Sequence, residues 1–181
     1  NLATYSEQIN NNTGWTKNLV NVSANAGVAP DGTSTADQVS NIVNSTSYCR
    51  PTVSISNSIT YTFSLYVKPL TTNKTLVFEH SGGTNRTVFD LATLTTSGLG
   101  IRQIIPIANG WYRIVWTITG ISGLGGFPQF PTLFIGGYPT TSDSVSFLFW
   151  GGQVEAGSFP TSYIPTSGST ETRAKDFASI T

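Results

Sequence analysis

Charge is the scarcest commodity in this sequence: only 10% of its 181 residues are Asp, Glu, Lys or Arg, and nine cations cancel nine acids. Globular chains ordinarily carry about 25%. Without clustered positive charge there is no counterion-release drive toward a phosphate backbone or an acidic membrane surface, so nucleic acid is excluded as a partner. Cysteine and histidine occur once each, as Cys49 and His80, and methionine is absent. A lone cysteine closes no internal disulfide, and with no neighbouring Cys or His it completes no zinc spacing; Cys49 reads as a small buried hydrophobe in a strand. There is no run of about 18 apolar residues and no basic-then-apolar opening segment, which excludes membrane insertion by a helix. The lack of any methionine leads us to expect a piece excised from a longer protein.

In place of charge the chain carries 21 serines, 27 threonines, 13 asparagines and 18 glycines, a neutral but hydrated surface. Hydrophobic residues make up 38% and aromatics 12% of the chain, enough for a packed core in a domain of ordinary size. Where a pattern is visible it has period two. From Thr60 to Lys68, Tyr61, Phe63, Leu65 and Val67 face one way and Thr62, Ser64 and Tyr66 the other, the signature of a half-buried strand. Tyr112, Ile114, Trp116 and Ile118 repeat it after an Asn109-Gly110 turn, and with Ile101–Ile107 they read as a hairpin. Further strands are expected at Leu19–Ser23, Tyr48–Ile55, Thr75–His80, Arg86–Leu91, Thr132–Gly136 and Ser144–Val154, separated by Gly, Pro and Asp turn signals. No window supports a helix. The expectation is an all-β fold: an antiparallel β-sandwich of the jelly-roll kind over residues 1–165, with an extended N-terminal lead-in anchored by Trp15 and a C-terminal tail laid across it. Residues 166–181 are expected to be an extension or linker.

Several strings occur together: Asn1-Leu2-Ala3-Thr4-Tyr5-Ser6 with Trp15-Thr16-Lys17, Ala29-Pro30-Asp31-Gly32-Thr33, Tyr61-Thr62-Phe63-Ser64-Leu65-Tyr66-Val67-Lys68, Asn109-Gly110-Trp111-Tyr112-Arg113, and Trp150-Gly151-Gly152-Gln153-Val154-Glu155 leading to Tyr163-Ile164-Pro165-Thr166. They resemble the carbohydrate-binding-module-like, concanavalin-like jelly-roll domains of bacteriophage tail fibres, tail spikes and other virion proteins, over nearly the whole chain. The resemblance implies a non-catalytic glycan-binding or host-adhesion module on a virion, outside the host cytoplasm. Its partners would be polysaccharide or cell-surface glycan, other copies of the chain or other virion proteins. It also implies a structural Ca²⁺ near the first strand and the end of the last, for which Glu7, Asp37 and Glu155 are the acids in the matching stretches; no other cofactor is required.

The residues themselves give few routes to catalysis. Glycoside hydrolysis needs two carboxylates roughly 5 to 9.5 Å apart. Only Glu79 and Asp90, on neighbouring strands, offer such a pair, and no Gly-x-Ser-x-Gly elbow is present to use His80. Sugar binding asks for something else: an aromatic ring against the apolar face of a pyranose and planar polar groups on its hydroxyls. Tyr66 and Arg113 fall on the polar register of two long strands and are candidates for an open sheet face shared with His80 or Arg86. Phe127, Phe130 and Tyr138 sit in loops, as a ligand rim or as contacts to another subunit. Trp150 lies in a run with no polar phase and reads as core or ligand platform. The competing expectation is a virion structural or decoration domain that binds no glycan.

Overall fold

The computed structural model describes residues 1–56, 58–80, 85–119 and 132–172; the side chains of His80, Asn85 and Thr132 lie outside the description. Within it run β1 (Trp15–Asn18), β2 (Val20–Gly27), β3 (Ala36–Asn41), β4 (Tyr48–Pro51), β5 (Thr60–Pro69), β6 (Thr75–His80), β7 (Asn85–Asp90), β8 (Thr95–Ser97), β9 (Ile101–Pro106), β10 (Tyr112–Thr119), β11 (Thr132–Ile135) and β12 (Ser146–Ala156). They form two six-stranded antiparallel sheets, ordered β1-β4-β11-β6-β7-β8 and β2-β3-β12-β5-β10-β9. The chain crosses repeatedly between the layers, so β12 lies between β3 and β5 and β11 between β4 and β6, the Greek-key wiring of a jelly roll.

The period-two code determines what lies between the sheets. Phe63, Leu65, Val67, Ile114, Trp116, Phe147 and Phe149 come from the second sheet and Cys49, Leu76, Phe78, Phe89, Leu133 and Ile135 from the first. Phe78 sits at their centre, stacked on Trp116 at 4.9 Å and edge-on to Phe63 at 5.2 Å. The Asn109-Gly110 turn, with both residues at positive φ, closes β9 onto β10 as the sequence indicates. Trp15 lies at the start of β1, its ring buried in the core and its Nε1 donating to the Tyr5 carbonyl of the lead-in, and β3 and β8 were not legible as strands. β8 is three residues long, and β3 carries a buried aspartate on its core-facing register.

One irregularity organises the outside of the second sheet. Along β12, Trp150 pairs with Tyr66 and Gln153 with Ser64, so one extra residue is inserted at Gly151-Gly152. Gly151 has φ +63, and a Cβ on Gly152 would come within 2.6 Å of the Trp15 ring. The bulge turns Gln153 to the outer face, where residues 157–166 cross over it. Gln153 is 0% exposed. Its Oε1 accepts the Ile164 amide at 2.8 Å, and its Nε2 donates to Glu155 at 2.7 Å and Thr161 Oγ1 at 3.2 Å. Attachment continues to Gly168, whose amide donates to the Thr4 carbonyl at 2.7 Å.

Truncating Gln153 strands buried partners on the tail, so Gln153→Ala should cost about 2 kcal/mol in urea unfolding and expose the 157–166 segment to limited proteolysis. Burial pushes the Cys49 thiol up to about 12. Ellman's reagent should therefore leave native protein unlabelled at pH 8 and react only at the unfolding rate; fast labelling would show that the core opens.

Candidate functional site

The two outer sheet faces differ in what they leave accessible. On the second sheet, the residues opposite the core are Thr62, Ser64, Tyr66, Arg113, Thr117 and Trp150, and the tail covers them. Thr62 donates to the Gly157 carbonyl at 2.9 Å, and Arg113 Nη2 donates to Ser64 Oγ at 2.8 Å and the Thr161 carbonyl at 2.9 Å. Tyr66, Trp150 and Tyr163 form one aromatic group, with the Trp150 and Tyr163 centroids 4.5 Å apart, and Arg113 lies 5.4 Å over Tyr66. Trp150 Nε1 donates to Thr35 Oγ1 at 2.9 Å. Tyr163 enters with the tail, its hydroxyl bonded to Glu7 at 2.8 Å and to Ser6 at 2.6 Å, and burial together with Glu7 pushes its pKa up.

The expected open face of Tyr66 and Arg113 is therefore occupied by the chain itself. Nor do these residues meet His80 or Arg86, because β5 and β10 lie in one sheet and β6 and β7 in the other. Trp150 is buried, but in this outer cluster rather than in the central core.

The outer face of the first sheet gathers a different set. Because Cys49 points into the core, Tyr48 and Arg50 point away from it. Ladder register places Tyr48, Phe134, Val77 and Val88 in one row, and Thr16, Arg50, Glu79 and Arg86 along the next, with Thr132 supplying the backbone step between Arg50 and Glu79. Phe134 packs against Tyr48 at 5.6 Å and against Tyr138, in the loop after β11, at 4.7 Å. The Arg86 guanidinium sits 3.9 Å over the Tyr138 ring. Phe134, Val77 and Glu79 are buried, Tyr48, Arg50 and Tyr138 half-buried, and Arg86 exposed. The structure thus unites two of the sequence candidates, Arg86 and Tyr138, and adds Tyr48 and Arg50. The signal for those two was present: once Cys49 is read as core, alternation assigns its neighbours to the other face. Phe127 and Phe130 lie outside the described residues, as does the His80 side chain.

Glu79 and Asp90 do not make a hydrolytic pair. Glu79 is cross-strand from Arg86, four residues along β7 from Asp90, so their Cα atoms are roughly 14 Å apart at ~3.3 Å per strand residue. Asp90 instead sits at the end of its strand, where burial pushes its pKa up but the Ala92 and Thr93 amides and the Thr93 hydroxyl together outweigh that and pull it down.

The three acids implied as calcium ligands do not converge. Glu7 accepts from Tyr163, and Glu155 from Thr161 and Gln153. Asp37, 1% exposed, accepts the Asn10 amide at 3.0 Å and the Asn25 amide at 2.9 Å. Among the described residues no three His, Cys, Asp or Glu side chains group as metal ligands. The carbonyls of the lead-in converge on an ammonium: Lys17 Nζ donates to Ile9 at 2.9 Å, Asn10 at 3.0 Å and Trp15 at 3.4 Å. The residues present do not fit a Ca²⁺ coordinated by these acids.

Neither a family model nor a curated protein sequence matches the chain. Among solved structures, the chain is similar to the CBM22-1–GH10 modules of Clostridium thermocellum endo-1,4-β-D-xylanase 10B complexed with xylohexaose, with 18% identity, 80% of this chain and 26% of that one covered, and a TM-score of 0.47. It is similar also to the enzymatically active domain of bacteriophage CBA120 tailspike protein 4, with 14% identity, 86% and 21% coverage and a TM-score of 0.46. A third is the CBM22-1 xylan-binding domain from Paenibacillus barcinonensis, with 14% identity, 84% and 91% coverage and a TM-score of 0.42. The chain thus spans about a quarter or less of the first two.

Burial raises the Asp37 carboxyl from its usual 3.8, against the backbone amides and Lys17, which pull it down. A raised folded-state value means that the native protein holds this proton more tightly than the unfolded chain does. The associated stability is complete below 3.8 and lost as pH rises through the folded value. Urea unfolding from pH 3.5 to 7 should show wild type losing stability relative to Asp37→Asn over that rise; parallel curves would refute the assignment.

Proposed function

We propose that the protein is a non-catalytic carbohydrate-binding module of a virion surface or tail protein, and that it takes its glycan on the outer face of the first sheet. The observation that carries this reading is the Arg86–Tyr138 stack beside Phe134 and Tyr48. Half-buried tyrosines offer ring area to the apolar side of a sugar, while a guanidinium fixed on one of those rings presents its N–H groups to hydroxyls. The cleft at the Arg50 end, about 100 Å³ between Thr16, Arg50, Thr52 and Val53, is smaller than the roughly 300 Å³ of an enclosing ligand site. That suits a chain lying along a surface. The separation of Glu79 from Asp90 supports a binding rather than a hydrolytic role. The virion setting rests on the resemblance of the opening and closing strings.

A second reading, a virion structural domain without a glycan, is favoured by a different region. The edge strand β9 presents Ile101, 62% exposed, and Ile105 outward, with Leu99 beside them and Phe159, 68% exposed, on the crossing tail. Unprotected apolar edges of this kind are where sheets meet other chains.

Affinity electrophoresis against a panel of polysaccharides separates the two. Arg86→Ala should weaken binding at least tenfold with the melting temperature unchanged, and Tyr138→Ala should weaken it as much while lowering the melting temperature, because its ring packs on Phe134. Absence of retardation by any polysaccharide, with a stable oligomer that Ile101→Lys dissociates, would establish the structural reading instead.

A further inference from the structure

We infer that the glycan taken by this face is anionic, and that Arg50 and Arg86 receive its carboxylate or sulfate groups; this rests on the carbohydrate-binding reading above. Several of the few cations in this chain hold the fold together. Arg102 folds back onto the Gly98 and Gly100 carbonyls, Arg113 holds Ser64 and the tail, and Lys17 holds the lead-in. These are internal clamps. Arg50 and Arg86, like Lys68 and Lys74, donate no hydrogen bond to the protein and join no ion pair among the described residues, but the two arginines alone of these four carry a planar fork of donors. Both belong to one row of one sheet face.

Arg50 is the more telling of the two. It is half-buried beside Tyr48 and the small cleft, and burial pulls its pKa down. A guanidinium partly removed from water with no protein acceptor gains most from a ligand that brings one. Neutral hydroxyls can accept from it, but an anionic oxygen pair meets its planar fork with two bonds, each roughly twice as strong as a neutral one. Arg86 lies 3.9 Å over the Tyr138 ring and is exposed, so its N–H groups are open to a ligand. The aromatic ring takes the sugar's apolar side and the guanidinium edge its acidic substituent.

The intervening Glu79 refines the expectation. It lies in the same row between the arginines and is 0% exposed. Being fully buried, Glu79 offers a ligand nothing at the centre of the row, which leaves the two arginines on its flanks as the points of contact. Three interstrand steps separate the Cα atoms of Arg50 and Arg86, roughly 14 Å at ~4.8 Å per step. One monosaccharide does not span that distance, so both arginines engage only an oligomer. A ligand read at two points also agrees with a chain of zero net charge, which exerts no long-range pull.

The test uses affinity electrophoresis and titration calorimetry of the whole chain with polygalacturonate, dextran sulfate, xylan and dextran, at 50 and 500 mM salt. We expect polygalacturonate, dextran sulfate or both to bind at least tenfold more tightly than the neutral polymers, and affinity to fall about tenfold at the higher salt as screening acts. Preference between the two anions identifies carboxylate or sulfate as the group received. Arg86→Gln and Arg50→Gln should each remove most of that preference while leaving residual neutral-sugar binding. Arg86 is exposed, so its variant remains informative if Arg50→Gln lowers the melting temperature. Equal or tighter, salt-insensitive binding of xylan or dextran that both variants retain would overturn this inference and leave the carbohydrate reading standing. Retention of the anionic polymers by both variants would overturn it as adventitious charge attraction. No binding to any of the four overturns both.

Discussion

The structure depends on how a sheet rich in hydroxyls and amides is removed from water. Thr62, Ser64, Thr117 and Gln153 on the outer side of the second sheet are all buried. Burying such groups unpaired would cost on the order of 1 to 3 kcal/mol each. The tail pairs two of them directly, Gly157 with Thr62 and Ile164 with Gln153, while Thr117 shares a hydrogen bond with Thr62 and Ser64 accepts one from Arg113, itself held by the Thr161 carbonyl of the tail. Arg113 Nε is buried without a hydrogen-bond partner. With the second sheet's outer face sealed by the tail, the half-buried Tyr48, Arg50 and Tyr138 and the exposed Arg86 of the first sheet remain within reach of a ligand.

The same constraint explains the double glycine in β12. Without an extra residue, position 152 rather than 153 would fall opposite Ser64 and the amide that anchors the tail would point elsewhere. Gly152 admits the Trp15 ring from the core side, and Gly151, lying against Tyr66 and Tyr163, supplies the positive φ that re-aims the strand. Core packing, strand register and tail docking therefore meet at two adjacent residues.

Much of this architecture was legible in the sequence. The alternations in β5 and β10 and the Asn109-Gly110 turn assigned the sheet layers of those residues correctly, because a half-buried strand writes its orientation into every second residue. Strands β1, β3 and β8 were not legible: β1 and β8 hold too few residues to show a period, and in β3 the core register carries Asp37, whose burial depends on amides that come from Asn10 and Asn25. The site was read less well for a related reason. Alternation shows that Tyr66 and Arg113 share a face, but it does not say which sheet their strand joins or whether distant chain will cover it. Arg86 and Tyr138 are brought together by cross-strand pairing and a loop return over more than 50 positions, and local pattern carries no information about that. Tyr48 and Arg50 were within reach, needing only Cys49 to be taken as the inward residue of β4.

The lead-in and the tail run antiparallel side by side, Ser6 against Thr166, Thr4 against Gly168, and the first residue against Glu171. Traction applied through the two ends of this stretch would act on the outermost of these bonds first and unzip them in sequence, with little shear. Mechanically, then, the seam is a compliant element in front of a stiff sandwich: it can lengthen under load while the face bearing Arg86 and Tyr138 keeps its shape.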